Sequence, residues 1–228
     1  MINKKKIIAL VPARGGSTGI KNKNIKNIKK KSLIKITSDF IDNSKIFDYK
    51  ILNSDSSKIL QIGKKCNFIN IKRPKKLSGS RISDFQIIDY SINKFEKMKI
   101  DADYLVYLQP TSPIRKKNQL IYALKKVIFN DLDGCWSVTK INTKYHPLKI
   151  LFSDKGRLKL FLKDGKNIIA RQMLKDVYIR NGVFYIFSIK ELKKQKTIYL
   201  KNMIVSESNY KTVNIDNIKD LREARRIF

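Results

Sequence analysis

Cysteine, histidine and tryptophan are almost missing from this chain, with two, one and one copies in 228 residues. Cys66 and Cys135 lie too far apart in sequence to form a metal-spaced pair. A reducing cytosol is the simple setting for them, with both thiols buried as small apolar residues. The single histidine, His146, precedes Pro147 and reads as a loop or packing residue rather than a catalyst. Long apolar runs are lacking too. Ile7 to Val11 is far too short for a membrane span or the apolar core of a signal peptide, so the expected setting is cytoplasmic with no membrane partner. Acidic residues are scarce: 19 stand against 50 lysines and arginines, a formal net charge of +31. Such a charge suits a nucleic-acid binder. Against that, the lysines are spread along the whole chain at amphipathic spacing, as in Ala123 to Ile128, and no basic tail or aromatic-basic motif stands out. Nucleic acid is therefore not the expected partner, although the field would draw in a nucleotide triphosphate.

What is present is an alternation of apolar runs and amphipathic stretches over a length that suits one domain, residues 1–228. Ile7 to Val11, ending at Pro12, reads as a buried parallel strand. The spacing predicts a helix over 33–47, a strand over 49–52, a short helix over 57–65 and a strand over 68–71. A helix over 84–98 follows, capped by Ser83 and Asp84. Then come a strand over 104–108, a helix over 119–130 and a strand over 135–138, with Trp136 in the core. This rhythm implies an α/β fold, a mostly parallel sheet with helices on both faces. Ligands of such sheets bind at the carboxyl ends of the strands, which gathers three loops: 14–24, 53–56 and 109–115. After Lys140 the rhythm breaks. Strands over 148–152 and 157–162, joined by a turn at 153–156, suggest a hairpin-containing insertion over roughly 141–182. Strands at 183–187 and 203–206 and a closing helix at 221–227 complete the chain.

The first loop, Pro12 to Asn24, holds the chemistry that is most legible. Gly15, Gly16 and Gly19 let backbone amides approach a ligand closely, and Arg14, Lys21 and Lys23 supply positive charge. The loop fits a triphosphate cradle. It is neither a Walker A loop nor the dinucleotide G-x-G-x-x-G pattern. Asp55, just after a strand, reads equally as a polar contact near a nucleotide or as a helix cap.

Several segments together resemble one family. Val11 to Ile20 is similar to a segment written P-A-R-G-G-S-K-G-I. Leu108 to Arg115 is similar to L-Q-P-T-S-P-L-R. Arg73, Pro74 and Leu77 match R-P-x-x-L. Arg171 and Gln172, followed by Arg180, Asn181 and Gly182, match R-Q … R-x-N-G, and Val213 to Asp216 falls where V-D-I-D is expected. In this order, over nearly the whole chain, they resemble the acylneuraminate cytidylyltransferases, which make CMP-sialic, CMP-legionaminic and CMP-pseudaminic acids.

That resemblance implies a Rossmann-like nucleotidyltransferase fold. It implies attack of the anomeric hydroxyl of an acidic nonulosonic acid on the α-phosphorus of CTP, with Mg2+ as cofactor and pyrophosphate leaving. By similarity Arg14, Ser17 and Lys23 hold the triphosphate, with Gly15, Gly16, Thr18 and Lys21 in the same cradle and Asn24 shaping it. Arg73 and Ser83 lie toward the nucleotide base. Gln109 and Thr111 face the acidic sugar, which Arg171, Gln172 and Arg180 approach from the insertion. Asp216, with Asn214, carries the metal, so Arg14, Lys23 and Asp216 are the expected catalytic residues. Family members pair through the insertion, which implies a homodimer.

Three positions depart from the family pattern. Thr18 stands where lysine is usual, Asn214 where aspartate is usual, and Ser80 where an aspartate is common. The first two remove charge from the proposed phosphate and metal sites. The alternative they raise is a weakened homologue that binds nucleotide or sugar without efficient turnover.

Overall fold

The computed structural model describes residues 2–16 and 19–228. Its centre is β1 (Ile7–Pro12), whose residues 7–11 are fully buried. At about 1.5–3 kcal/mol for each fully buried Ile, Leu or Val side chain, this strand is a main contributor to the core. It ends on Pro12, which has no N–H to extend a ladder. A two-residue ribbon, β2 (Asn27–Ile28) with β3 (Lys31–Ser32), leads into α1 (Leu33–Ser44). Ser32 caps α1 by accepting from the Lys35 amide, and Lys45 ends it in the left-handed conformation. That stop explains why the helix is shorter than its apolar spacing suggests.

β4 (Tyr49–Ser54), α2 (Ser57–Lys65) and β5 (Ile69–Lys72) follow. The chain then crosses through α3 (Asp84–Lys97) to β6 (Tyr104–Tyr107) on the other side of β1. Ser83 and Gln86 form a capping box at the start of α3. α4 (Lys117–Phe129) and β7 (Gly134–Lys140) continue the alternation. The hairpin of β8 (Leu151–Asp154) and β9 (Arg157–Leu160) forms a separate two-stranded sheet. β10 (Tyr178–Ser188), α5 (Ile189–Gln195), β11 (Met203–Glu207) and α6 (Ile218–Ile227) close the chain.

The main sheet has seven strands in the order β11-β7-β10-β6-β1-β4-β5. All neighbours are parallel except those of β10, which runs against both β6 and β7. The reason is connectivity. The excursion after β7 returns Tyr178 directly opposite Lys140, so the chain re-enters at the end it left and must run back.

Alternate residues of each strand feed opposite faces. Ile7, Ala9, Val11, Val106 and Leu108 pack under α1, α2 and α4 through Ile34, Ile59, Leu124 and Val127. Ile8, Leu10, Leu105 and Tyr107 pack under α3 and α5 through Ile88, Ile92, Phe95 and Leu192. Cys66 and Cys135 are both free and buried, and burial pushes the Cys135 thiol up to about 12. His146 caps a short turn: its Nδ1 accepts from the Leu148 amide at 3.2 Å, and Nε2 lies 3.2 Å from the Lys175 carbonyl. No helix among the described residues is long and apolar enough to cross a membrane.

Candidate active site

The carboxyl ends of β1, β4 and β6 bring the three expected loops together. Two glycines of the first loop are required by close approach. A Cβ on Gly15 would overlap the Cβ of Ser56, and one on Gly19 would run into the Asp216 carbonyl. The Gly15 amide also donates to Asp55 Oδ1 at 2.9 Å, while Ser56 caps α2 by accepting from the Ile59 amide. Asp55 therefore holds the loop, and its neighbour holds the helix. Asn24 is buried and its Nδ2 donates to the Arg14 carbonyl at 3.0 Å. The loop is thus seated between the turn after β4 and the segment before α6. Ser17 and Thr18 lie outside the described residues.

Below the loop is a cavity of about 310 Å³. Three cations, Arg14, Lys23 and Arg73, line it together with two carboxylates, Asp84 and Asp216, and with Asn24, Gln109, Thr111 and Asn214. Lys23 Nζ lies 2.8 Å from Asp216 Oδ1; the lysine side chain is 16% exposed and the aspartate 68%, so the pair has one sheltered and one open partner. Asn214 Nδ2 is 3.4 Å from Asp216 Oδ2. Asp216 is set by its own backbone, whose amide donates to Asp220 Oδ2 at 2.8 Å. Burial alone would raise the Asp220 carboxyl, but donated backbone hydrogen bonds from Asp216 and Asn217 outweigh it and hold the group low.

Arg73 is 3% exposed, and its Nε and Nη1 have no partner among the described residues. Burial lowers its pKa, an effect that Tyr107 and Asp55 partly offset. Next to it, the fully buried Tyr107 hydroxyl donates to Asp84 Oδ1 at 2.9 Å. Burial and the nearby carboxylate push that hydroxyl well above its ordinary value, so it remains a donor. A buried guanidinium, two of whose donors have no partner among the described residues, and a buried hydroxyl holding a carboxylate make this end of the cavity polar.

Other expected residues lie elsewhere. Gly16 and Lys21 are exposed and do not line the cavity. Ser83 caps α3 and lines an adjoining pocket with Arg180, Lys196 and Tyr199; Ile82 and Asp84 border both spaces. The Arg180 guanidinium carbon sits 5.1 Å from the centroid of the Trp136 ring. Arg171 and Gln172 are exposed in a 3-10 turn of the excursion and line neither space. Sequence reasoning missed Asp84 and Tyr107 as cavity groups, because one reads as a helix cap and the other as an apolar strand residue. Only the general Gly-rich character of the loop pointed to the close approach at Gly19.

The fold and this cavity define a nucleotidyltransferase. The family model described as Cytidylyltransferase matches residues 8–227, and the chain belongs to that family. It is 28% identical to the pseudaminic acid cytidylyltransferase of Campylobacter jejuni subsp. jejuni serotype O:2, over 98% of this chain and 96% of that one. It is also 28% identical to the N-acylneuraminate cytidylyltransferase of Escherichia coli O18:K1:H7, over 79% of this chain but only 42% of that longer protein. Among solved structures, a CMP:2-keto-3-deoxy-manno-octonic acid synthetase complexed with CTP superposes with a TM-score of 0.73 at 13% identity, covering 97% of this chain and 98% of that one. That likeness is one of fold.

Proposed function

We propose that this chain transfers CMP from CTP to the anomeric hydroxyl of an acidic nine-carbon sugar. The hydroxyl oxygen bonds to the α-phosphorus as the bond to the pyrophosphate oxygen breaks, pyrophosphate leaves, and the hydroxyl proton passes to water. The observation that carries this reading is the convergence of Arg14, Lys23 and Arg73 with Asp216 in one cavity, under a glycine-bearing loop. Phosphoryl transfer of this kind depends mostly on positioning and on neutralising phosphate charge. In this reading Arg14 and Lys23 hold the triphosphate, with Ser17 and Thr18 in the same loop. Arg73 receives the base. Gln109 and Thr111 face the sugar. Full-length similarity to a pseudaminic acid cytidylyltransferase supports an acceptor of the nonulosonic class. The reading stands or falls on pyrophosphate release from CTP with a panel of acidic nonulosonic acids; no release with any of them would overturn it.

Magnesium is the proposed cofactor. The carboxylate of Asp216 lies at the open edge of the cavity; Asn214 turns its Nδ2 toward Asp216 and its Oδ1 toward Ser112, and a flip of that side-chain amide would bring its oxygen beside the carboxylate, an all-oxygen pair that suits a hard cation. No cluster of three or more His, Cys, Asp or Glu that could hold a metal occurs among the described residues. Phosphate oxygens and water would then complete the shell, and the ion would neutralise charge on the phosphates. Asn214→Asp should lower the magnesium concentration for half-maximal turnover several-fold; an unchanged magnesium titration would remove residue 214 from the metal site.

Gly19→Ala tests the seating of the loop. A methyl group there must displace either the loop or the Asp216 backbone. The expected result is a loss of about tenfold or more in kcat/KM, since misplaced reacting groups are costly, together with a lowered melting temperature, because the atoms that must move are backbone. Full activity would mean that the loop and the Asp216 segment move independently.

A homodimer is proposed through the excursion after β7. Leu151, Phe152, Leu158, Phe161 and Ile169 are all exposed there, which is a large apolar surface for so small a hairpin. Light scattering at micromolar concentration should return twice the chain mass of 26.6 kDa. A monomer at all concentrations would leave that surface for another partner.

A further inference from the structure

The turn that carries Gln109 and Thr111 is held from behind by a side chain that the proposed reaction does not use. The Gln109 carbonyl accepts both the Ser112 amide, at 3.0 Å, and Nη2 of Arg115. Arg115 Nε donates to the Val183 carbonyl at 2.9 Å, and Nη1 reaches Thr37 Oγ1 at 3.4 Å. One planar fork therefore joins the turn to β10 and to α1. From its other side the same turn carries the segment before α6: the Thr111 carbonyl accepts the Ile215 amide at 2.8 Å, and Ser112 Oγ lies 3.4 Å from Asn214 Oδ1. The Gln109 side chain is seated against Gly182, whose φ is +72° and where an added Cβ would crowd Gln109 Oε1.

Arg115 is an expensive choice for a packing role. Burial lowers its pKa to about 9, and no carboxylate among the described residues pairs with it. Its partners are neutral oxygens and the Phe40 ring, 5.7 Å away. An apolar residue of similar volume would avoid that desolvation cost. What the guanidinium adds is a rigid fork that reaches three elements at once.

We propose that Arg115 is a positioning residue for the acceptor half of the site: it fixes the Gln109–Ser112 turn and, through that turn, both the sugar-facing side chains and the Asn214–Asp216 segment. The base end at Arg73 and Asp84 does not depend on it. This rests on the function proposed above.

The test uses Arg115→Met and Arg115→Lys in the full chain. The KM for the acidic sugar should rise about tenfold or more in Arg115→Met, and Arg115→Lys should not restore it, because lysine keeps the charge without the fork. CTP affinity measured calorimetrically without metal should fall by less than about threefold, because only the Lys23 contact with Asp216 links the nucleotide to this segment while Arg14 and Arg73 stay in place. Arg115 also lines a groove of about 1080 Å³ on the far side of the turn, with Phe40 and Phe228. A small cation can therefore reach its place, and guanidinium at low millimolar levels should partly restore the sugar KM of Arg115→Ala while leaving the unaltered protein unchanged. Independently of any substrate, the Ser112 and Ile215 amides should exchange hydrogen faster in Arg115→Met, while the Arg73 amide, bonded to the Ser54 carbonyl at 2.8 Å, should not. If both substrate affinities fall together, if only the melting temperature drops, or if Ser112 and Ile215 exchange as before, Arg115 is a packing residue and the proposal fails. If the unaltered protein uses no acidic sugar, the proposed reaction fails, and the exchange measurement alone then decides the role of Arg115.

Discussion

Arg73→Met is expected to cost this protein most of its affinity for CTP. The guanidinium is buried at the cavity wall with Nε and Nη1 unpartnered among the described residues, so the free protein already carries the desolvation penalty. A base that displaces the packing over these two sealed donors and accepts both hydrogen bonds recovers it. Hydrogen bonds to a charged group contribute about 1.5–3 kcal/mol each, so losing two predicts a drop of about 100-fold or more in affinity. Arg73→Lys should recover little, because one ammonium cannot reproduce two fixed donors. In the proposed reaction Asp84 would supply the complementary half. Cytosine presents two acceptors, O2 and N3, and a 4-amino donor; uracil replaces the amino group with a carbonyl acceptor and the N3 acceptor with an N3–H donor. A carboxylate held in place by Tyr107 therefore favours cytosine and disfavours uracil by leaving an acceptor facing an acceptor. Asp84→Asn can rotate its amide to donate, and it should bring the affinities for CTP and UTP within about threefold of each other. Calorimetric titration of CTP, UTP, ATP and GTP into each variant reads both effects. Equal binding of all four nucleotides by the unaltered protein would mean that the cavity recognises phosphate alone.

Asp216→Ala is expected to lower turnover by about 1,000-fold or to below detection. The substitution removes the carboxylate at the open edge of the cavity and also frees Lys23 from its 2.8 Å contact. The companion change, Lys23→Met, should lower kcat by about 100-fold, because in the proposed reaction the charge it would meet grows as pyrophosphate leaves. The two losses should not add, since the residues touch each other before substrate binds. Steady-state pyrophosphate release, with sugar and CTP varied separately, measures kcat and both KM values. A turnover in Asp216→Ala within about threefold of the unaltered protein would move the metal and phosphate chemistry away from this segment. Thr18 lies outside the described residues, and Thr18→Lys in the same assay reports whether the loop gains from a further cation.

Some elements were legible because local signals and the tertiary fold agree. Ser56 and Ser83 stop the backbone just before α2 and α3, and a serine side chain that accepts an amide three residues on is a local event. The unbroken apolar run of β1 reads as a strand buried on both faces, as it is. Other elements were not legible. α5 is seven residues long and offers only Ile189 and Leu192 to the core, too few for a periodic pattern. The first hairpin strand begins three residues later than its apolar character suggests, because Pro147 starts a 3-10 turn. The reversal of β10 left no trace in its residues, because strand direction is set by where the preceding excursion returns the chain.

The sequence by itself determined the alternating architecture, the three loops that meet at one end of the sheet, and the kinds of charge those loops carry. These follow from side-chain period, capping and turn residues, all of which act within a few positions along the chain. The tertiary structure alone decided which charges are neighbours. Lys23 meets Asp216 across 193 positions, and Tyr107 meets Asp84 across 23. Arg73 and Arg115 look alike as letters, yet the fold leaves one with orphaned donors at a cavity and satisfies the other with three neutral oxygens behind a turn. The physical reason is that a side chain's charge is intrinsic, whereas its desolvation and its partners belong to whatever the fold packs around it.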